Sequence, residues 1–349
     1  MRLTYSHLFC CLLVFAAMLC SSCSQEETEA SAKDRQIVVL YSPTGLGDNG
    51  YNDLIVKGVQ TVYKNSRGAR MELVAPKSMD DAEVFIDRWL AAGQGASHQL
   101  LVLASADYYA LAKRKFSQGS YAGSQKEVLL FESPNEDAMP ILTFNVEMYG
   151  ASYLAGTMVA EAGMERVLAL LSNPADAVIR RAGDGFMDGY ASVAHRDADI
   201  SYMHEDWHGY VMSQEAYEMM PELSGRYDFI FPVAGGTSKG IFRYLRENPD
   251  GPMTAGMDVD QSIYSNRVAG SVVKHIDRLI VYYLNTWIDG EPLPQNRNWG
   301  LESGYIDWLL SPGFVAAYGS MVERNRASAI EEEKKYWLRT KERNAEDTE

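Results

Sequence analysis

The 349-residue sequence predicts an α/β protein of two doubly wound, parallel-sheet lobes joined by a hinge. Three observations carry that expectation. Short apolar, β-branched runs alternate with helical patterns along most of the chain. The alternation falls into two consecutive series, each of ordinary domain size. The turns GLGDNGYND and AGGTSKG each lie between such a run and a helical pattern, and polar, glycine-rich loops at that position in α/β sheets are where ligands bind.

The first series runs over about 36–145. Its strands are IVVLY (Ile37–Tyr41), MELVA (71–75), QLLVLA (99–104), EVLLF (127–131) and ILTFNV (141–146). After IVVLY, residues Leu54, Ile55, Val59 and Val62 recur at helical spacing. DAEVFIDRWLAAG carries Val84, Phe85, Ile86 and Trp89 near one helical face. The second series covers 146–257, with strands VLALL (167–171), ISYM (200–203), YDFIFPVA (227–234) and MTAGMDV (253–259). Between them, YGASYLAGTMVAEAG and GFMDGYASVAH read as small-residue helices able to pack closely on a sheet. Residues 258–330 return to one or both lobes. They hold a long helix around SVVKHIDRLIVYYLNTWIDG and late strand material, NWGLESGYIDWLLS, near the hinge. The charged tail, 331–349, reads as a solvated helix or as disorder.

The first residues have a different purpose. Arg2 precedes an apolar stretch, LFCCLLVFAAML, too short to span a bilayer comfortably, and small residues and Cys23 follow where it stops. Residues 1–22 therefore read as a signal peptide that resembles a bacterial lipoprotein leader, with Cys23 as the lipidated residue. Residues 23–35 are an acidic tether. All four cysteines, at positions 10, 11, 20 and 23, lie in this region, so the folded part has no disulfide and no thiol chemistry. A formal charge of -15 argues against a nucleic-acid partner, whose phosphates attract basic surfaces.

Two motifs suggest catalysis. HEDWH (His204–His208) matches the zinc pattern HExxH, which needs both histidines on one helical face. It follows a strand and precedes Gly209, so a loop is the stronger reading and no metal is expected. GTSKG (Gly236–Gly240) matches a nucleophile elbow, with Asp258 and His275 following in hydrolase order. That makes a serine hydrolase using Ser238 the alternative function. The rival reading is a glycine turn, with Gly235 and Gly236 presenting backbone N–H groups to a polar ligand at a helix N-terminus. GLGDNG lacks the third glycine of a dinucleotide fingerprint.

Five segments in register resemble the basic membrane protein family, the purine-nucleoside-binding lipoproteins of ABC importers. GDNGYND is similar to its D-x-S-F-N turn, TFNVEMYGASYLAG to the segment entering its second lobe, and DFIFPVAGGTSKGIF to its A-G-G-T-G turn. AGMDVDQS is similar to its G-V-D-V-D-Q segment, and SVVKHID to its S-V-L-K helix start. The resemblance implies a type I periplasmic binding protein whose lobes close on a nucleoside. It implies that Tyr51 stacks on the base, that Asp48 and Asn52 bond its edge or brace the turn, that Asp258 accepts from ribose hydroxyls, and that Lys274 donates to the sugar. Asp107, in the loop after QLLVLA, and Trp207 are further ligand candidates. Gly50 and Tyr51 stand where the family has Ser and Phe, and Ser238–Lys239 extend the glycine turn; both changes favour a more polar or anionic solute. The expectation is a monomeric, lipid-anchored envelope receptor that serves an ABC permease, without cofactor or catalytic residue. A non-transport sensor of another small polar solute is a further alternative.

Overall fold

The computed structural model describes residues 35–346, except 44–45, 48–49, 66–67, 93–96, 119–124, 134, 136–137 and 175, with side chains up to 340. The leader, Cys23, the tether up to residue 34, and Asp48 lie outside the described residues. Arg35, the last residue assigned to the tether, already pairs with His98 in a strand.

In chain order the first series is β1 (Arg35–Tyr41), α1 (Tyr51–Lys64), β2 (Arg70–Val74), α2 (Met79–Ala91), β3 (His98–Ala104), α3 (Tyr109–Phe116), β4 (Lys126–Leu130) and β5 (Leu142–Val146). The second is α4 (Tyr149–Glu161), β6 (Val167–Leu171), α5 (Ala177–Ala194), β7 (Asp199–Tyr202), α6 (Ser213–Arg226), β8 (Phe229–Val233), α7 (Ser238–Glu247) and β9 (Met253–Asp258). The chain closes with β10 (Val268–Lys274), α8 (Ile276–Ile288), β11 (Arg297–Trp299), β12 (Ile306–Leu310) and α9 (Val315–Glu346). Two six-stranded sheets result, ordered β11-β5-β4-β3-β1-β2 and β12-β10-β9-β8-β6-β7. All pairings are parallel except that of β10 with β12. The shared order is that of a doubly wound sheet, in which the strand sequence reverses between β1 and β3 and again between β6 and β8.

The chain divides into two compact units. The first takes the described part of Met1–Gly45 with Val56–Thr143 and Ile280–Asn296; the second takes Leu46–Ile55, Phe144–Leu279 and the described part of Arg297–Glu349. In the first unit, apolar side chains of β1, β3 and β4 pack with Ala82, Ile86 and Trp89 of α2 and with Leu111 and Phe116 of α3. Val84, expected on the inner face of α2, is instead 49% exposed. Ala82, Ile86 and Trp89 are the buried residues of α2 at the spacing that meets the sheet, and Phe85 packs partly buried beside them. Lys126 of β4 is buried and donates to the carbonyls of Trp89, Leu90 and Ala92, satisfying the C-terminal end of α2. Burial holds its pKa below the ordinary lysine value.

In the second unit, the small residues of α4 and α5 serve helix–helix contact. A β-carbon at Gly156 would collide with the Phe186 carbonyl, and one at Gly185 or Gly189 would collide with the carbonyls of Tyr149 or Tyr153. The two backbones therefore touch, where the sequence suggested close packing on the sheet. The tail also departs from expectation. It is the end of the long helix α9, and its inner face is not solvated. Glu333 is 7% exposed and accepts the N–H groups of Gly150 and Leu301, both at 2.9 Å, while Tyr336 stacks on Tyr149 with ring centroids 4.3 Å apart. One further correction concerns SVVK. It is not a helix start but the end of β10, a strand buried along its whole length between β9 and β12.

Candidate functional site

The carboxyl ends of β9 and β10 lie side by side, with Asp258 opposite Val273 in the parallel register. Asp258 ends β9 with φ +66°. That left-handed conformation costs a residue with a β-carbon roughly 1–2 kcal/mol. The turn after it is braced from beneath. The Gln261 side-chain oxygen accepts from Met257 N at 3.0 Å, and Ser271 Oγ accepts from Gln261 N at 3.0 Å. Strain held in place by a rigid surround is a mark of functional positions.

Lys274, the last residue of β10, is 4% exposed, and its ammonium lies over the Tyr51 ring, 5.6 Å from the centroid. Tyr51 opens α1 and belongs, with the rest of 46–55, to the second unit. The turn before it is closed by Gly47 N donating to Asp53 Oδ1 at 2.8 Å and by Leu54 N donating to Gly50 O at 3.1 Å. Asn52 follows Tyr51 at the helix start and is half-buried. The structure thus brings together a ring, an ammonium and a strained strand-end carboxylate whose strand lies beside that of the lysine.

Gly235 and Gly236 form a tight turn after β8, and Gly235 has φ +52°, a conformation glycine adopts without strain. A β-carbon there would press on Tyr210. Thr237 Oγ1 donates to Gly209 O at 2.7 Å and accepts from Met212 N at 2.8 Å. The glycine turn is thereby stapled to the short helical turn Trp207–Tyr210 after β7. Trp207 is 57% exposed and stacks on His208 with centroids 4.0 Å apart. An exposed tryptophan on a turn fixed to the switch point of the sheet suits contact with a flat solute. Beside it, the His208 backbone N–H and side chain hold the Asp206 carboxyl below its ordinary pKa.

The first unit presents its own pair at the reversal between β1 and β3. Ser42 Oγ donates to Asp107 at 2.6 Å, and Ser105 Oγ accepts from Asp107 N at 3.2 Å. Ser42 was not singled out from sequence; its one signal is a hydroxyl directly after IVVLY. Tyr210, whose hydroxyl donates to Asp176 at 2.6 Å, was also missed.

Ser238, the residue of the hydrolase alternative, is 3% exposed, and its Oγ makes no hydrogen bond to any described residue. No described base therefore stands within hydrogen-bond reach of it, as an activated nucleophile requires. A shallow groove of about 450 Å³ lies at the opposite, amino-terminal ends of β6 and β7. Of its polar lining, Arg166 is paired with the neighbouring Asp228 and Tyr227 donates to Asp199, which leaves these groups less able to receive a solute.

The family model for ABC transporter substrate-binding proteins that are PnrA-like, Bmp, matches residues 35–336. The chain belongs to this family. No curated protein matches it. Among solved structures, the PnrA-like chain is similar to an ABC transporter solute-binding protein from Aeropyrum pernix K1, with TM-score 0.61 at 17% identity over 90% of each chain. A transcriptional activator of the comK gene from Bacillus halodurans superposes with TM-score 0.63 at 18% identity, over 85% of this chain and 97% of that one. A solute-binding protein from Burkholderia graminis in complex with D-arabinose gives TM-score 0.58 at 13% identity, over 81% and 97%. At these identities the likeness establishes the type I periplasmic binding protein fold. The membership makes the PnrA-like chain an extracytoplasmic substrate-binding protein of an ABC transporter. No helix among the described residues is long and apolar enough to cross a membrane.

Proposed function

We propose that this PnrA-like protein captures a nucleoside, with a purine as base, and delivers it to its ABC permease as a monomer tethered to the envelope by lipid on Cys23. The observation that carries the reading is the Lys274 ammonium over the Tyr51 ring, with Asp258 ending the strand beside that of the lysine. A nucleoside is a flat ring joined to a diol. An aromatic face stabilises a stacked base by about 1–3 kcal/mol. A carboxylate accepting from sugar hydroxyls makes charge-assisted bonds, stronger than neutral ones. In this reading Tyr51 and Trp207 meet the base, Asn52 and Asp48 its edge, Asp258 and Lys274 the sugar, and the N–H groups of Gly235 and Gly236 its polar atoms. Asp107, in the first unit, is a further ligand candidate on its own strand-end turn. The arabinose complex of a structural neighbour supports the sugar half, because that fold accommodates a polyhydroxyl solute.

A thermal-shift screen of nucleosides, free bases, pentoses and small amino acids tests the proposal. A nucleoside at 100 times its dissociation constant adds about 2.7 kcal/mol of stability. A shift from pentoses alone, or from none of the nucleosides, overturns the nucleoside assignment.

A further inference from the structure

Apart from Trp207, the segment HEDWH remains outside the solute reading, and its geometry differs from the motif it resembles. His204, Glu205 and Asp206 lie in the loop after β7, and Trp207–Tyr210 form one short helical turn. We propose that His204, Asp206 and His208 form a binding site for a divalent transition-metal cation of the zinc type. The proposal does not rest on the nucleoside reading.

One ligand atom from each of the three residues lies within 4.8 Å of the others. Asp206 Oδ1 is 2.8 Å from His204 Nδ1 and 2.7 Å from His208 Nδ1. Ligands at about 2.0–2.2 Å from a zinc ion, with angles of 90–109°, stand roughly 2.9–3.5 Å apart. Each oxygen–nitrogen separation is within a few tenths of an ångström of that range. The Asp206 N–H also points at His204 Nδ1, 3.3 Å away. Both Nδ1 atoms face the same carboxylate oxygen, and a cation can take the place of protons between them.

The loop is held in shape by groups outside the cluster. His204 N donates to Ser172 O at 3.0 Å, and a β-carbon at Gly209 would collide with the same carbonyl. His208 N donates to Asp206 Oδ1 at 2.9 Å, which orients the carboxylate, and Trp207 stacks on the His208 ring. Two imidazoles and one carboxylate suit zinc, nickel, cobalt or copper; calcium and magnesium prefer oxygen ligands alone. The side chains are 44%, 52% and 52% exposed, so the remaining coordination positions open to water. Glu205, the base of the helical protease motif, is outside the cluster, and the chemistry is binding without hydrolysis. The sequence reading discounted a metal because a loop does not put the first and last histidines on one helical face. Asp206, in the middle of the turn, bridges them without a helix.

The experiment is titration of the full chain with cobalt chloride and zinc chloride, followed by calorimetry and by the quenching that cobalt imposes on Trp207. The Trp207 contribution is the part of the emission removed by Trp207→Phe. One equivalent of cobalt is expected to quench it, and zinc is expected to compete. His204→Ala and His208→Ala should each weaken binding at least tenfold, while Glu205→Gln leaves it unchanged. All three positions are exposed, so the variants fold, which circular dichroism verifies. Quenching and affinity that are identical in the wild type and in the double variant His204→Ala/His208→Ala overturn the site. So does a nucleoside-free wild type that binds neither cation.

Discussion

Lys274 places its ammonium over the face of Tyr51, 5.6 Å from the ring centroid, although a whole lobe's worth of chain separates them. The contact joins the end of a buried strand to the first turn of a helix. A cation over an aromatic ring contributes about 0.5–2 kcal/mol, depending on how far both are desolvated. It also holds the ring in one orientation. In the nucleoside reading the lysine then steers the aromatic face and offers a donor to the sugar.

Tyr51→Ala should accordingly weaken binding of all bases to a similar degree, by about 1–3 kcal/mol, because every base has a π-face. Tyr51→Phe keeps the face and should retain most of that affinity. Calorimetry across adenosine, guanosine, inosine and uridine measures both variants. A loss confined to one base would reassign Tyr51 from stacking to edge recognition.

Asp258 separates strain from recognition. Asp258→Gly and Asp258→Ala remove the same carboxylate, but only the alanine variant keeps the left-handed penalty. The glycine variant should be the more stable of the two by about 1 kcal/mol in urea unfolding. Both should lose most of the affinity that depends on ribose hydroxyls, measured as the difference between a nucleoside and its 2′,3′-dideoxy analogue. Unchanged discrimination in either variant would remove Asp258 from the sugar site.

Much of this arrangement was legible from residues in sequence. VLALL was read to the residue as β6, because a short, wholly apolar run between turn signals has few other fates. The turn before Tyr51 and the one after YDFIFPVA were found because glycine and small polar residues interrupt such runs. β10 was lost because VAGSVVK runs directly into HIDRLIVYYL, and periodicity alone does not separate a buried strand from the buried helix that follows. Lys274 was therefore expected on a helix start and stands instead at the end of a strand. The opposition of Ser42 and Asp107 depends on β1 and β3 being neighbours, which no local pattern states. Glu333 was invisible for the same reason. Its burial is decided by the helix start at Gly150 and the turn at Leu301, both distant in sequence.

The α4–α5 contact predicts a steep cost for one methyl group. Gly189→Ala directs a β-carbon into the carbonyl of Tyr153, and Gly185→Ala directs one into that of Tyr149. Backbone does not yield as a flexible side chain does, so each variant should lose at least about 1–3 kcal/mol in urea unfolding. Gly225→Ala is the control. It lies in a helix with open space around the added carbon and should be neutral or slightly stabilising. Equal stabilities for the three variants would show that the two helices can separate at no cost.

Glu333 gives the second unit a pH dependence whose sign is opposite to the usual carboxylate case. Burial, and then the charge of Glu147, raise its pKa from 4.5 to about 8, against the two backbone N–H groups that favour ionisation. In the unfolded chain the group titrates near its ordinary value, so between about pH 4.5 and 8 the folded state holds a proton that the unfolded state has released. Stability contributed by this group is therefore fully present below the unfolded pKa and is lost as pH rises through the folded one. The size is a few kcal/mol, since each pKa unit corresponds to about 1.4 kcal/mol. Glu333→Gln removes the titration and should flatten the fall in unfolding free energy from pH 5 to pH 8. It also leaves one of the Gly150 and Leu301 N–H groups facing an amide NH2, so its stability at pH 5 should lie below that of the wild type. Urea midpoints at intervals across this range measure both effects. A wild-type profile that rises from pH 5 to pH 8, with the same slope in Glu333→Gln, would mean that Glu333 stays ionised against α4.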